Sequence, residues 1–64
     1  MHDMELASLV KELRTRFNRL KVPYVTIGQF KGHIHIFVRD MQHAVRIRLY
    51  LLEKERDKVK FHRL

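Results

Sequence analysis

A single proline, Pro23, divides the chain into two parts that obey different hydrophobic periods. Before it, Leu6, Leu9, Val10, Leu13, Phe17 and Leu20 follow one another at steps of 3, 1, 3, 4 and 3. That spacing lays an apolar stripe along one side of a helix. The residues from Asp3 to Leu20 are therefore predicted to be helical, with Asp3 as N-cap and Glu5 in the positively polarised first turn. Lys11, Arg14, Arg16 and Arg19 fall off the stripe. Pro23 has no amide hydrogen to continue the ladder, and it biases Val22 toward extended geometry.

After the proline the period becomes two. Tyr24–Phe30 is rich in β-branched and aromatic residues, and Lys31-Gly32 reads as a tight turn. His33–Arg39 alternates cleanly, Asp40–His43 reads as a second turn, and Ala44–Leu51 alternates again. Two short turns in succession predict an antiparallel meander. The segment from Leu52 is ambiguous, because Glu53–Lys58 favours helix by propensity whereas Lys58–His62 alternates like a strand. The expected architecture is a single α+β domain spanning residues 1–64. In it an N-terminal helix packs on a three-stranded antiparallel meander, followed by a C-terminal helix or a fourth strand over residues 53–64.

A chain of 64 residues buries only about 60% of its unfolded surface, so its stability margin is thin. Cysteine is absent, which removes disulfides and thiolate metal sites as reinforcement. Association into a homodimer is one remaining remedy, and a marginal monomer is the alternative. No apolar run reaches the length of a membrane helix, and Met1–Glu5 has neither the charge nor the apolar stretch of a signal peptide. An intracellular, cytoplasmic location without a membrane partner is expected.

The net charge of +7, from 14 Lys and Arg against 7 Asp and Glu, points to an acidic partner. Nucleic acid, RNA or DNA, comes first; an acidic protein surface comes second. The alternation decides where such a partner would sit, since successive strand residues point to opposite faces. One face collects Val25, Ile27, Ile34, Ile36, Val38, Val45, Ile47, Leu49 and Leu51 and is expected to pack on the helix. The other collects Tyr24, Thr26, Gly28, Phe30, His33, His35, Phe37, Arg39, Arg46, Arg48 and Tyr50, without a carboxylate. Between Lys21 and Leu52 there are five cations and one acid, Asp40. Rings offer stacking surfaces to unpaired bases, and cations pair with phosphates. Lys31, His33, His35, Phe37, Arg39, Arg46, Arg48 and Tyr50 are therefore the candidate nucleic-acid contacts. The competing reading is that the aromatic face is covered by the C-terminal segment or by a second subunit.

His33 and His35 share a face of their strand and could hold a metal or trade a proton. A metal would need a third ligand from Asp40, His43 or His62, which the sequence does not place, so neither metal nor cofactor is expected. Ser8 is the only serine and lies on the first helix, and Gly28 and Gly32 make no phosphate-binding loop. No catalytic residue is assigned; His33 or His35 beside Arg46, Arg48 and Lys31 could supply the base of a ribonuclease.

The stretch Lys31-Gly32-His33-Ile34-His35-Ile36-Phe37 is similar to a Lys-Gly-Ser-His-His-x-Phe segment of the HicA-type toxins. These are small mRNA-cleaving proteins built on the double-stranded-RNA-binding fold. The expected order α-β-β-β-α resembles that fold, and Val45-Arg46-Ile47 falls where its third strand would run. The family's catalytic histidine position is Ile34 here, its serine position is His33, and His35 falls on its other histidine. The family's C-terminal helix motif is missing. The resemblance implies an endoribonuclease using a strand histidine, and the departures leave its catalytic role without a matching residue. The residues themselves favour a small, basic, non-enzymatic nucleic-acid-binding or regulatory protein, of a size and charge that suit a phage or mobile element. An interaction module docking on an acidic host protein is the alternative.

Overall fold

A computed structural model describes residues 2–64, with side chains from Glu5 onward. The first helix already includes His2, so Asp3, expected as its N-cap, lies inside it, with its side chain outside those described. The elements run α1 (His2–Leu20), β1 (Thr26–Phe30), β2 (His33–Val38), α2 (Met41–Arg48), α3 (Glu53–Arg56) and β3 (Val59–Arg63). The fold is α+β: an N-terminal helix on a three-stranded sheet, with further helix and strand after it.

Helix α1 ends before the proline does its work. The Val22 amide donates to the Phe17 carbonyl at 2.9 Å and the Lys21 amide to Asn18 at 3.3 Å, with Lys21 at φ 56°. This is a Schellman ending built on a left-handed lysine rather than the usual glycine. It turns the chain so that Val22 follows Phe17 into the core.

Strands β1 and β2 pair antiparallel, with Phe30 opposite His33. The two-residue connection Lys31-Gly32 has φ of 49° and 79°, the positive pair of a type I′ hairpin. The tight turn expected there is present.

The third strand is not where alternation put it. Residues 44–51, expected as a strand, belong to α2 and the turns that follow it. The Asp40 side chain accepts from the Gln42 amide at 2.9 Å, so the expected second turn is a helix N-cap. Ala44, Ile47 and Leu51 then face inward at helical spacing. The alternation of Val45, Ile47, Leu49 and Leu51 was real, but Ile47 and Leu51 belong to both patterns. The sheet is completed instead by β3, which runs parallel to β2, so that β2 is central and the order is β1-β2-β3. A parallel pair cannot be closed by a tight turn; α2 and α3 provide the crossover it requires. The ambiguous C-terminal segment thus yields both of its expected forms, a short helix and then a strand.

The buried apolar residues of α1 and α2 join one core on one side of the sheet. Leu13 and Phe17 of α1, Ile27, Ile34, Ile36 and Val38 of the sheet, and Ile47 of α2 are its most enclosed members. The inward half of β2 follows the expected alternation, with Ile34, Ile36 and Val38 buried and His33, His35 and Phe37 half-buried on the other side.

One ion pair ties the helices together. Glu55 of α3 accepts from Arg16 of α1 through both oxygens, at 2.8 and 3.1 Å, and also from the Leu52 amide at 2.8 Å. The last contact is half of a capping box, since Leu52 has no side-chain acceptor to reciprocate. Arg16 also reaches Glu12 at 3.2 Å and the Tyr50 carbonyl at 3.0 Å. Hydrogen bonding to Arg16 holds the Glu55 carboxyl below the ordinary carboxylate range despite its burial, and the same pair raises Arg16.

Candidate nucleic-acid interface

The face of the sheet opposite the helices is built by the outward half of each strand. Thr26, Gly28 and Phe30 come from β1, His33, His35 and Phe37 from β2, and Lys60 and His62 from β3. The ladder sets Phe37 between Thr26 and His62, and His35 between Gly28 and Lys60. None of these eight residues is acidic.

Three rings form a column across β2 and β3. Phe37 and His62 stack with centroids 5.0 Å apart at 25°, and His62 and His35 stack at 4.9 Å and 24°. Phe30 tilts against His35 at 6.1 Å. It is 62% exposed, an unusual position for a phenylalanine. The Lys31 ammonium lies 5.2 Å from the Phe30 ring centroid, within cation–π range.

The two stacked imidazoles are also hydrogen-bonded. His35 Nδ1 is 2.7 Å from His62 Nε2, and His35 Nε2 is 3.1 Å from the Phe30 carbonyl oxygen. A carbonyl only accepts, so His35 carries a proton on Nε2. In the neutral pair His35 Nδ1 then accepts from the His62 Nε2–H. Both ring nitrogens of His35 are therefore engaged. His33 stands apart, with its Nδ1 3.4 Å from the Lys31 carbonyl. Among the described residues no cluster of three His, Asp or Glu side chains converges as a metal site.

Comparison with known families, characterised proteins and solved structures finds no match for this chain. The observed order α-β-β-α-α-β departs from the α-β-β-β-α order of the HicA-type toxins, with Val45-Arg46-Ile47 on α2 rather than on a third strand, and no comparison bears on the likeness of Lys31–Phe37 to them.

Of the sequence-predicted contacts, the structure brings Lys31, His33, His35 and Phe37 together on this face. Arg39 lies just past the end of β2, exposed, beside Pro23, Tyr24, Val25 and His43. Arg46 and Arg48 are on α2 and Tyr50 follows it, in the helical layer rather than on the sheet. Only a strand over residues 44–51 would place them on the same face as His35. Tyr24 also leaves the expected face: its ring packs edge-on against Phe17 at 5.8 Å and its hydroxyl donates to Asn18 Oδ1 at 3.1 Å. Conversely, Lys60 and His62 were absent from the expected contact set. The signal for them was present in the alternation of Lys58–His62, whose inward members are Val59 and Phe61.

The arrangement can do two things chemically. The ring column can stack with planar partners, and Lys31 and Lys60 can pair with anions. The described residues contain no helix long and apolar enough to cross a membrane.

Proposed function

We propose that the open face of the sheet binds single-stranded nucleic acid without cleaving it. The observation that carries this reading is the stacked column Phe37–His62–His35, flanked by Lys31 and Lys60 on a surface without carboxylates. An unpaired base can extend such a column, because every base has a π-face; a base within a duplex is already stacked on its neighbours. The lysines supply the salt-dependent attraction to the backbone. For His35, binding rather than catalysis is favoured, because both of its nitrogens are occupied by protein groups.

Fluorescence anisotropy with single-stranded RNA, single-stranded DNA and duplexes, across a salt series, tests the proposal. Single strands are expected to bind tighter than duplexes, with affinity falling as salt rises. Phe37→Ala, at the end of the column, is expected to remove one stacking contact, about 1–3 kcal/mol or roughly 5- to 150-fold in affinity. Arg46→Ala with Arg48→Ala, on the helical layer, is expected to leave the single-strand preference intact. Tighter duplex binding, or unchanged affinity in Phe37→Ala, would refute the stacking surface.

A further inference from the structure

Helix α2 carries two apolar rows, and the core uses only one of them. Ala44 and Ile47 face inward. Met41, Val45 and Leu49 are 47%, 66% and 72% exposed, and Leu52 beyond them is 52% exposed. Met41, Val45 and Leu49 are spaced by four, which makes a continuous i±4 ridge on an α-helix. With about 100° per residue, Arg48 falls on one side of this ridge and Arg46 on the other. No carboxylate occurs from Met41 to Leu52. The ridge is thus an apolar row bracketed by cations, on the helical side of the fold, away from the stacking face.

We infer that this ridge docks an amphipathic α-helix of another protein whose apolar groove is bordered by acidic residues. Ridge-into-groove packing is the ordinary way for an i±4 row to be covered by a helix. The charge pattern selects the partner. A second copy of this chain would set Arg46 and Arg48 against arginines, on a molecule already at +7. A phosphate backbone would pair with the arginines but leave Val45 and Leu49 in water. An interfacial membrane helix carries aromatic or leucine-rich anchors over a longer face than the eight residues of α2 provide. Glutamates on a helical partner satisfy both arginines while its apolar side chains enclose the ridge.

The probe is a synthetic helical peptide with leucines at i, i+3, i+4 and i+7 flanked by glutamates, compared with a scrambled peptide of the same composition. Saturable binding of the amphipathic peptide, with NMR shifts centred on residues 41–52, is the expected result. Val45→Gln with Leu49→Gln is expected to weaken it roughly tenfold or more, since two central apolar anchors are lost. Both side chains are exposed, so far-UV circular dichroism and single-strand binding should be unchanged in that variant. Equal affinity for the scrambled peptide, or no effect of the double variant, would overturn the inference. Concentration-dependent dimerisation abolished by the variant would overturn it in favour of self-association, and preferential binding to phosphatidylserine vesicles in favour of a lipid surface.

Discussion

Replacing Glu55 with Gln should cost this protein a large share of its stability. Glu55 is 4% exposed, and its carboxylate accepts two bonds from Arg16 and one from the Leu52 amide. Gln keeps the shape and one acceptor oxygen, but it removes the charge and presents an NH2 group to a donor. Charge-assisted bonds are worth about 1.5–3 kcal/mol, and breaking a fully buried pair about 3–5. The Arg16 side chain is 19% exposed and keeps Glu12 and the Tyr50 carbonyl, so the charge left behind is partly solvated and partly paired. The lower range therefore applies, about 2–3 kcal/mol. A domain of this length has roughly 3–10 kcal/mol in total. The midpoint should fall by roughly 10–20 °C in a thermal scan followed by circular dichroism, with a matching loss in urea. Glu12→Gln is the internal comparison. That carboxylate is 65% exposed and makes one i,i+4 bridge, so its loss should stay within about 0.5 kcal/mol. The pH dependence carries a second signature. The folded-state pKa of Glu55 is lowered, so its contribution is fully present above the unfolded value of about 4.3 and is lost as pH falls through the folded value below it. The gap between wild type and Glu55→Gln should be constant through neutral pH and close on acidification below that point. A Glu55→Gln protein within about 0.5 kcal/mol of wild type would refute the reasoning, as would a gap that persists in acid.

Two further substitutions probe the backbone and the core. Lys21→Gly should stabilise by about 0.5–1 kcal/mol, because the left-handed conformation at φ 56° costs a side chain about 1–2 kcal/mol and glycine's extra unfolded-state entropy offsets only part of that; a lower urea midpoint would contradict it. Ile47→Ala should cost about 2–5 kcal/mol and Val45→Ala within about 0.5, since α2 buries the first and exposes the second. A strand over residues 44–51 would bury both and equalise the two losses in the same melts.

Local chemistry made several parts of this fold legible. Pro23 and the stripe from Leu6 to Leu20 specify α1 because a helix interior needs one apolar face and cannot contain a proline that lacks its amide hydrogen. Lys31-Gly32 between two alternating runs specifies the hairpin, and the alternation of β2 correctly separates Ile34, Ile36 and Val38 from His33, His35 and Phe37. His33, His35 and Phe37 of the candidate contact set came with that strand, and Lys31 with the turn before it. Arg46, Arg48 and Tyr50 failed at one place. Residues 44–51 satisfy a period of two and also the helical spacing of Ala44, Ile47 and Leu51, and nothing within the segment ranks the two patterns.

The choice was made by groups distant in sequence. A third strand could pair beside β2 either as residues 44–51, turned back antiparallel, or as Val59–Arg63, returned parallel after a crossover. The second arrangement buries Val59 and packs Phe61 against the core, encloses Ile47 under the sheet, and lets Glu55 meet Arg16 across 39 positions of sequence. Those contacts exist only once α1, α2 and α3 are assembled. They also decide the site: His62 reaches His35 because β3 lies parallel to β2, whereas Arg46 and Arg48 leave the sheet because their segment is helical. The sequence by itself determined the first helix, the hairpin and the sidedness of β2, since each follows from the stereochemistry of neighbouring residues. Only the tertiary structure decided which segment completes the sheet and hence which rings share its open face, because that depends on long-range burial and pairing.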